Sequence, residues 1–311
     1  MLFTKIVLKT LLLSFLPLQA AEVDNFNIRQ ANIKNSAPLI NQYGNELMVE
    51  VITKLNKEEH LCNEAGLYKA LRKEFKNGYI GKFAKYIIDS KELERTKTPH
   101  KDSIYGQFRI KDAVVTGFMA RKIYDPSASL ILVNERLIGT DKFEHFSGTG
   151  FSYFKSFYLK KNSIEETANI GFGDEYGLLG AWTTGVISYG DLAAEFNGMR
   201  FWNHILQKND DILGENWGPY ITCENNKWLK VKDIDWSRYV DDAWDEAINC
   251  SEYRTWTMVA KVKYQLKELS QKSGQKVTCP LDPNRLQNLE QKYGPYSPYL
   301  INFKGINVKS R

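Results

Sequence analysis

Four side chains in the middle of this chain have the types and spacing to do chemistry together: Asp141, His145, Glu175 and Asp191. Asp141 and His145 stand four residues apart in DKFEHF, one turn along a single helix face. Glu175 lies in GFGDEYGLLG, and Asp191 follows in SYGDLAAEFNG. One imidazole and three carboxylates brought together by packed helices can move protons, with His145 oriented by Asp141 and Glu175 acting as general acid or base. The same donors suit a divalent metal, and histidine with carboxylates favours zinc, manganese or iron over calcium. Histidine is otherwise scarce. His60 and His204 have no comparable carboxylate set beside them in sequence, and His100 lies in a lysine-rich stretch.

Each candidate also has a structural explanation. Asp141 can cap a helix, with Glu144 completing a DxxE box, and Ser188 with Asp191 reads as a second capping box. Glu195 shares a helix face with Asp191 and Gly198 and ranks below Asp191 as a candidate. Glu175 is flanked by Gly171, Gly173, Gly177 and Gly180, each costing about 1 kcal/mol of helix propensity. Such a run predicts that another backbone or a ligand approaches this face, and that Glu175 is buried and needs a partner or a shifted pKa.

The elements that must position these residues are mostly helical. Leu47, Val51 and Leu55, then Leu67, Leu71 and Phe75, recur at four-residue spacing and predict helices across 41–94. IYGQFRI, DAVVTGF and ASLILV mix strand-like runs with turn residues and predict a small β element around 102–135. From 140 to about 272 the pattern returns to helix, with a capping box at Ser163–Glu166 and a stripe of Trp236, Tyr239, Ala243 and Trp244. The expected fold is mainly α, a multi-helix globular domain with that small β element. Residues 22–40 form an irregular, mobile lead-in. Residues 41–222 form the helical domain carrying the site, and 223–311 a disulfide-braced helical region with an irregular tail.

Residues 1–21 have the form of a secretory signal peptide, an apolar run beside Lys5 and Lys9 with cleavage after Ala20 or Ala21. No cysteine lies at that point, so a lipid anchor is not expected. No later apolar run reaches the roughly 20 residues of a membrane span, which predicts a periplasmic or secreted chain with at most peripheral membrane contact. Cys62, Cys223, Cys250 and Cys279 are an even set for an exported protein, and their spacings do not suit zinc. The short segment between them favours Cys223–Cys250, leaving Cys62 for Cys279. The net charge of +5 is dispersed, without the basic stripe that nucleic-acid binding needs.

Asp141, Lys142, His145 and Phe146, then Glu175, then Asp191 and Gly198 resemble the VanZ-like family of envelope proteins. They are also similar to small periplasmic lipoproteins that carry a DKxxH helix. Glu195 departs from that pattern, which has asparagine there, and VanZ-like proteins span the membrane several times. The resemblance covers 141–198 only and implies an envelope role without a defined reaction. The leading expectation is therefore an exported hydrolase of cell-wall or lipid-linked material, working by carboxylate and histidine acid–base chemistry with or without a metal. Trp182, Tyr176 and Tyr189 would suit sugar stacking beside it. The alternative is a non-catalytic envelope binding or scaffold protein whose polar cluster is a buried structural network.

Overall fold

The computed structural model describes residues 22–29, 31–57, 62–76, 81–109, 112, 128–177, 181 and 184–309. The signal segment, His60, Gly180, Trp182 and most of DAVVTGF lie outside the described residues. The chain is mainly α. Helices α1 (Ala37–Lys57), α2 (Glu64–Phe75) and α3 (Lys82–Asp89) come first. They are followed by α4 (Lys142–Ser147), α5 (Thr149–Phe154), α6 (Ile164–Tyr176) and α7 (Tyr189–Leu206), then by α8 (Trp256–Ser273) and α9 (Pro283–Tyr293).

Helix α7 is the axis of the molecule. Every residue from Tyr189 to Ile205 is buried, so it lacks the polar face of a surface helix and must be covered all round. Helices α4 and α5 supply the most extensive cover, and α6 also packs on it. Gly198 makes the α4–α7 approach possible, because a Cβ there would overlap the carbonyl of Phe146. The apolar spacing of the first helices works as expected: Leu47, Val51, Leu55, Leu67, Leu71 and Phe75 all enter the main core. Ser163 and Glu166 start α6 with a reciprocal capping box.

The β structure consists of small pieces. Strands β1 (Leu130–Val133) and β2 (Arg136–Gly139) form a hairpin, pairing Leu130 with Gly139 and Val133 with Arg136. Strand β3 (Val186–Ile187) pairs antiparallel with β6 (Glu252–Tyr253), which pairs in parallel with β7 (Asn307–Val308). Strands β4 (Ile221–Glu224) and β5 (Lys227–Lys230) form a second hairpin. Asn225 and Asn226 turn it, both at the positive φ that a tight two-residue connection requires.

Three expectations change. The helical pattern from 140 to 272 is interrupted: between α7 and α8 lie the β4–β5 hairpin and two 3₁₀ turns, Trp236–Tyr239 and Asp242–Trp244. Asp235 and Asp241 each accept a backbone N–H two residues on, starting separate turns where one helix was expected. Trp236, Tyr239, Ala243 and Trp244 are nonetheless all buried.

The lead-in is tied down at its start. Val23, Asp24, Asn25 and Phe26 are buried, and Asn25 donates to the carbonyl of Leu137 at 2.6 Å.

The bridges join Cys62 to Cys223 and Cys250 to Cys279, each with Cα atoms 5.9 Å apart, replacing the expected Cys223–Cys250 and Cys62–Cys279 pairs. Long-range packing explains the exchange. Asn56 near the end of α1 exchanges hydrogen bonds with the backbone of Trp228 on β5, which brings the following Cys62 to β4. The amide of Leu281 donates to the carbonyl of Ala247 at 2.8 Å, laying the Cys279 segment beside Cys250.

Candidate functional site

Ionisable side chains reach the N-terminal half of α7 from α4 and from the end of α6. Asp141 stands at the mouth of α4 in helical conformation, but its side chain makes no cap hydrogen bond. Its Oδ2 accepts instead from Lys142 Nζ at 2.9 Å. Lys142 is fully buried and also meets Asp191 Oδ1 at 2.8 Å and Glu246 Oε1 at 2.6 Å. It thus donates to Asp141 and Glu246 and forms an ion pair with Asp191. Burial disfavours the ammonium, yet Asp141, Asp191 and Glu246 outweigh it and hold the Lys142 pKa well above the usual lysine value.

One turn along α4, His145 presents Nδ1 to Glu195 Oε1 at 3.0 Å and Nε2 to Asp191 Oδ2 at 3.5 Å. The residues that orient the ring are therefore Glu195 and Asp191; the expected partner, Asp141, is engaged by Lys142. Burial works against the imidazolium, but Asp191 and Glu195 raise the His145 pKa well above the ordinary histidine value. With 19% of its side chain exposed, His145 is the most open member of the cluster.

Glu175 comes from the end of α6, where its Oε2 accepts the backbone N–H of Ser188 at 2.9 Å. Ser188 is the N-cap of α7: its Oγ accepts the Asp191 N–H at 3.2 Å and donates to Glu246 Oε1 at 2.9 Å. The local capping box is thus split. Glu175 from another helix takes the amide that the third helical residue would normally accept. The Asp191 carboxylate is released to bridge Lys142 and His145. Burial, then the charge of Asp191, raise the Glu175 pKa well above the carboxylate range, favouring the neutral acid.

Of the glycines around Glu175, Gly171 marks the close approach, since a Cβ there would overlap Glu195 and the Tyr153 hydroxyl. Gly173 faces open space and Gly177 is the C-cap of α6. Two of the nearby aromatics pack on Phe172: Tyr189 is buried edge-on against it, and the Tyr176 ring stacks on it.

The structure therefore gathers Asp141, His145, Glu175 and Asp191 into one cluster. Single ligand atoms of His145, Glu175 and Asp191 all lie within 4.8 Å of one another, wider than the roughly 3.3–3.6 Å between tetrahedral donors at about 2.0–2.2 Å, so the side chains would close in to hold an ion. Sequence reasoning undervalued Glu195, which is fully buried against His145, and assigned no role to Lys142 or Glu246. Lys142 was visible as the second letter of DKxxH. Nothing in the sequence signals Glu246, which arrives from beyond α7. Glu22 joins from the N-terminal segment, and burial, then Glu246, raise its pKa to about 8.

Among the described residues, Asp141, Glu175, Asp191, Glu195 and Glu246 thus surround two cations, Lys142 and His145. Asp141 Oδ1 is buried without a hydrogen-bond partner among the described residues. The cluster is rich in negative charge and incompletely satisfied, so it either retains protons or accepts a further cation.

Compared with known proteins, the chain matches no protein-family model, no curated protein and no solved structure.

Proposed function

We propose that this protein is an exported hydrolase of the cell envelope, acting on cell-wall or lipid-linked material through a single divalent-metal centre at His145, Glu175 and Asp191. The observation that carries the reading is the convergence of these three donors within 4.8 Å inside a buried group of carboxylates that outnumbers its cations. A bound zinc, manganese or iron ion would polarise the scissile group and acidify a water molecule. The protein's own residues would prepare the site. Lys142 fixes Asp191 through Oδ1, leaving Oδ2 directed toward His145. Glu195 takes the other ring nitrogen, the usual arrangement for setting the tautomer of a metal-binding histidine. Glu175, held neutral by burial before metal enters, has a proton to release on binding, which leaves its carboxylate free to join the ligand set. The two disulfides fit an oxidising compartment.

A non-catalytic scaffold is the second reading, favoured by the sealing of Glu175, which is only 2% exposed and hydrogen-bonded to Ser188. Metal analysis of the purified protein, with a muropeptide-release assay on wild type and Glu175→Gln, tests both. Bound metal and an activity lost in the variant support the hydrolase. A metal-free wild type without activity, whose Glu175→Gln variant is strongly destabilised, supports the scaffold.

A further inference from the structure

Helix α8 has two faces of opposite character. Met258, Val259, Val262 and Leu266 are buried and hold it to the second hydrophobic core. The opposite face carries Trp256, Ala260, Lys263, Tyr264 and Lys267, all exposed and within about a third of the helix circumference at 3.6 residues per turn. Trp256 is 66% exposed and Tyr264 50%. Exposure of that extent is unusual for tryptophan, whose large ring is normally well buried. The charges between the aromatics have one sign. Lys261, at the edge, is engaged by Asp112 at 2.5 Å, and Glu268 is the one acidic residue of the helix.

We infer that this face of α8 docks the protein on an anionic lipid bilayer. Trp and Tyr rings beside lysines match the membrane–water interface, where the ring enters the headgroup layer and the ammonium meets lipid phosphate. Lys263 and Lys267 supply attraction to anionic headgroups, and Trp256 supplies the apolar insertion that a soluble polyanion would not require.

The position of α8 gives the docking a consequence. Thr255 caps α8 directly after β6, and β6 pairs with β3, which leads into Ser188 at the start of α7. Met258 also packs against Gly185, the residue before β3, whose positive φ and close contacts leave no space for a side chain. The lipid-facing helix is therefore one packed layer from the turn that forms the carboxylate cluster. This inference does not depend on a metal at that cluster.

Vesicle co-sedimentation of the disulfide-bonded protein provides the test. Binding is expected to vesicles of phosphatidylglycerol and phosphatidylcholine in equal parts, and not to phosphatidylcholine alone. Lys263→Glu/Lys267→Glu should weaken binding by at least about five-fold per lysine, and Trp256→Ala by about ten-fold or more, with thermal stability unchanged because all three side chains are exposed. Brominated lipid should quench tryptophan fluorescence in wild type more than in Trp256→Ala. Absence of binding to the anionic vesicles, or equal binding by the variants, would overturn the inference. So would binding to soluble polygalacturonate that matches vesicle binding and does not need Trp256, which would assign the face to an anionic glycan.

Discussion

Helix α7 carries two buried ionic groups that differ in how completely they are satisfied. At its N-terminal half, Asp191 and Glu195 join the carboxylate-rich cluster around Lys142 and His145. Further along, Arg200 spreads its donors over Asp211, Asn197 and Glu215, and Asp211 also accepts backbone amides from Leu213 and Glu215. His204 lies 3.2 Å from Asp211 and 2.7 Å from the Tyr239 hydroxyl, so it has the carboxylate that sequence reasoning did not give it. Burial favours the neutral form of Asp211, but the His204 hydrogen bond and Arg200 outweigh it and lower its pKa to about 2. Burial lowers the His204 pKa. In one group, opposite charges meet and the carboxylate stays ionised. In the other, burial raises the pKa values of Asp141, Glu175 and Glu195 because cations are too few. The first arrangement is that of a structural lock; on the proposed hydrolase reading, the second would be a site prepared for a metal ion.

Substitutions can break this contrast. Asp211→Ala should be the most damaging, destabilising the protein by about 3–5 kcal/mol in urea unfolding because Arg200 is left buried without its main partner. A comparable loss in Glu175→Gln would make the two groups equivalent. On the hydrolase reading, Glu175→Gln instead lowers activity by at least about 100-fold with the melting temperature nearly unchanged.

Metal sharpens the comparison. Zinc or manganese at about 100 times its dissociation constant should stabilise the wild type by about 2.7 kcal/mol, seen as a rise in Tm. His145→Ala and Asp191→Asn should abolish that rise. A rise retained in both would place the ion elsewhere.

The smallest effects lie in pH dependence, where the two groups have opposite signs. The folded pKa of Asp211 is lowered, so its stabilisation is present above the ordinary carboxylate range and is lost as pH falls toward about 2. The folded pKa of Glu22 is raised, so its contribution is greatest below about pH 4.5 and is lost as pH rises toward about 8. In metal-free protein, Asp211→Asn should flatten the acid limb of the stability profile and Glu22→Gln the limb above pH 4.5. Parallel slopes in both variants would refute the distinction.

The readable parts of this protein are those governed by local periodicity. Leu47 to Leu55 and Leu67 to Phe75 announced their helices because one buried stripe at helical spacing has few other uses. Asp141, His145, Glu175 and Asp191 were found together because α4, α6 and α7 are close in sequence as well as in space. Lys142, though part of the DKxxH motif, was given no role because a lysine beside an aspartate normally faces water, and only the structure shows three carboxylates around it. Glu246 and the disulfide partners depend on packing between distant segments. The run from Trp236 to Trp244 has spacings that imitate a helix, whereas Asp235 and Asp241 divide it into separate turns.

The Cys62–Cys223 bridge closes a loop with a sequence separation of 161 residues, and α4, α5, α6 and α7 all lie inside it. In the chain-entropy picture a closure of that length removes roughly 5 kcal/mol of freedom from the unfolded chain. That is a large share of the total stability of an ordinary domain, typically about 5–15 kcal/mol. The helices that assemble the cluster therefore have their full stability only where thiols are oxidised. Before oxidation a smaller share of the chains is folded, so the bridge ties the population that carries an assembled cluster to the redox state of its surroundings.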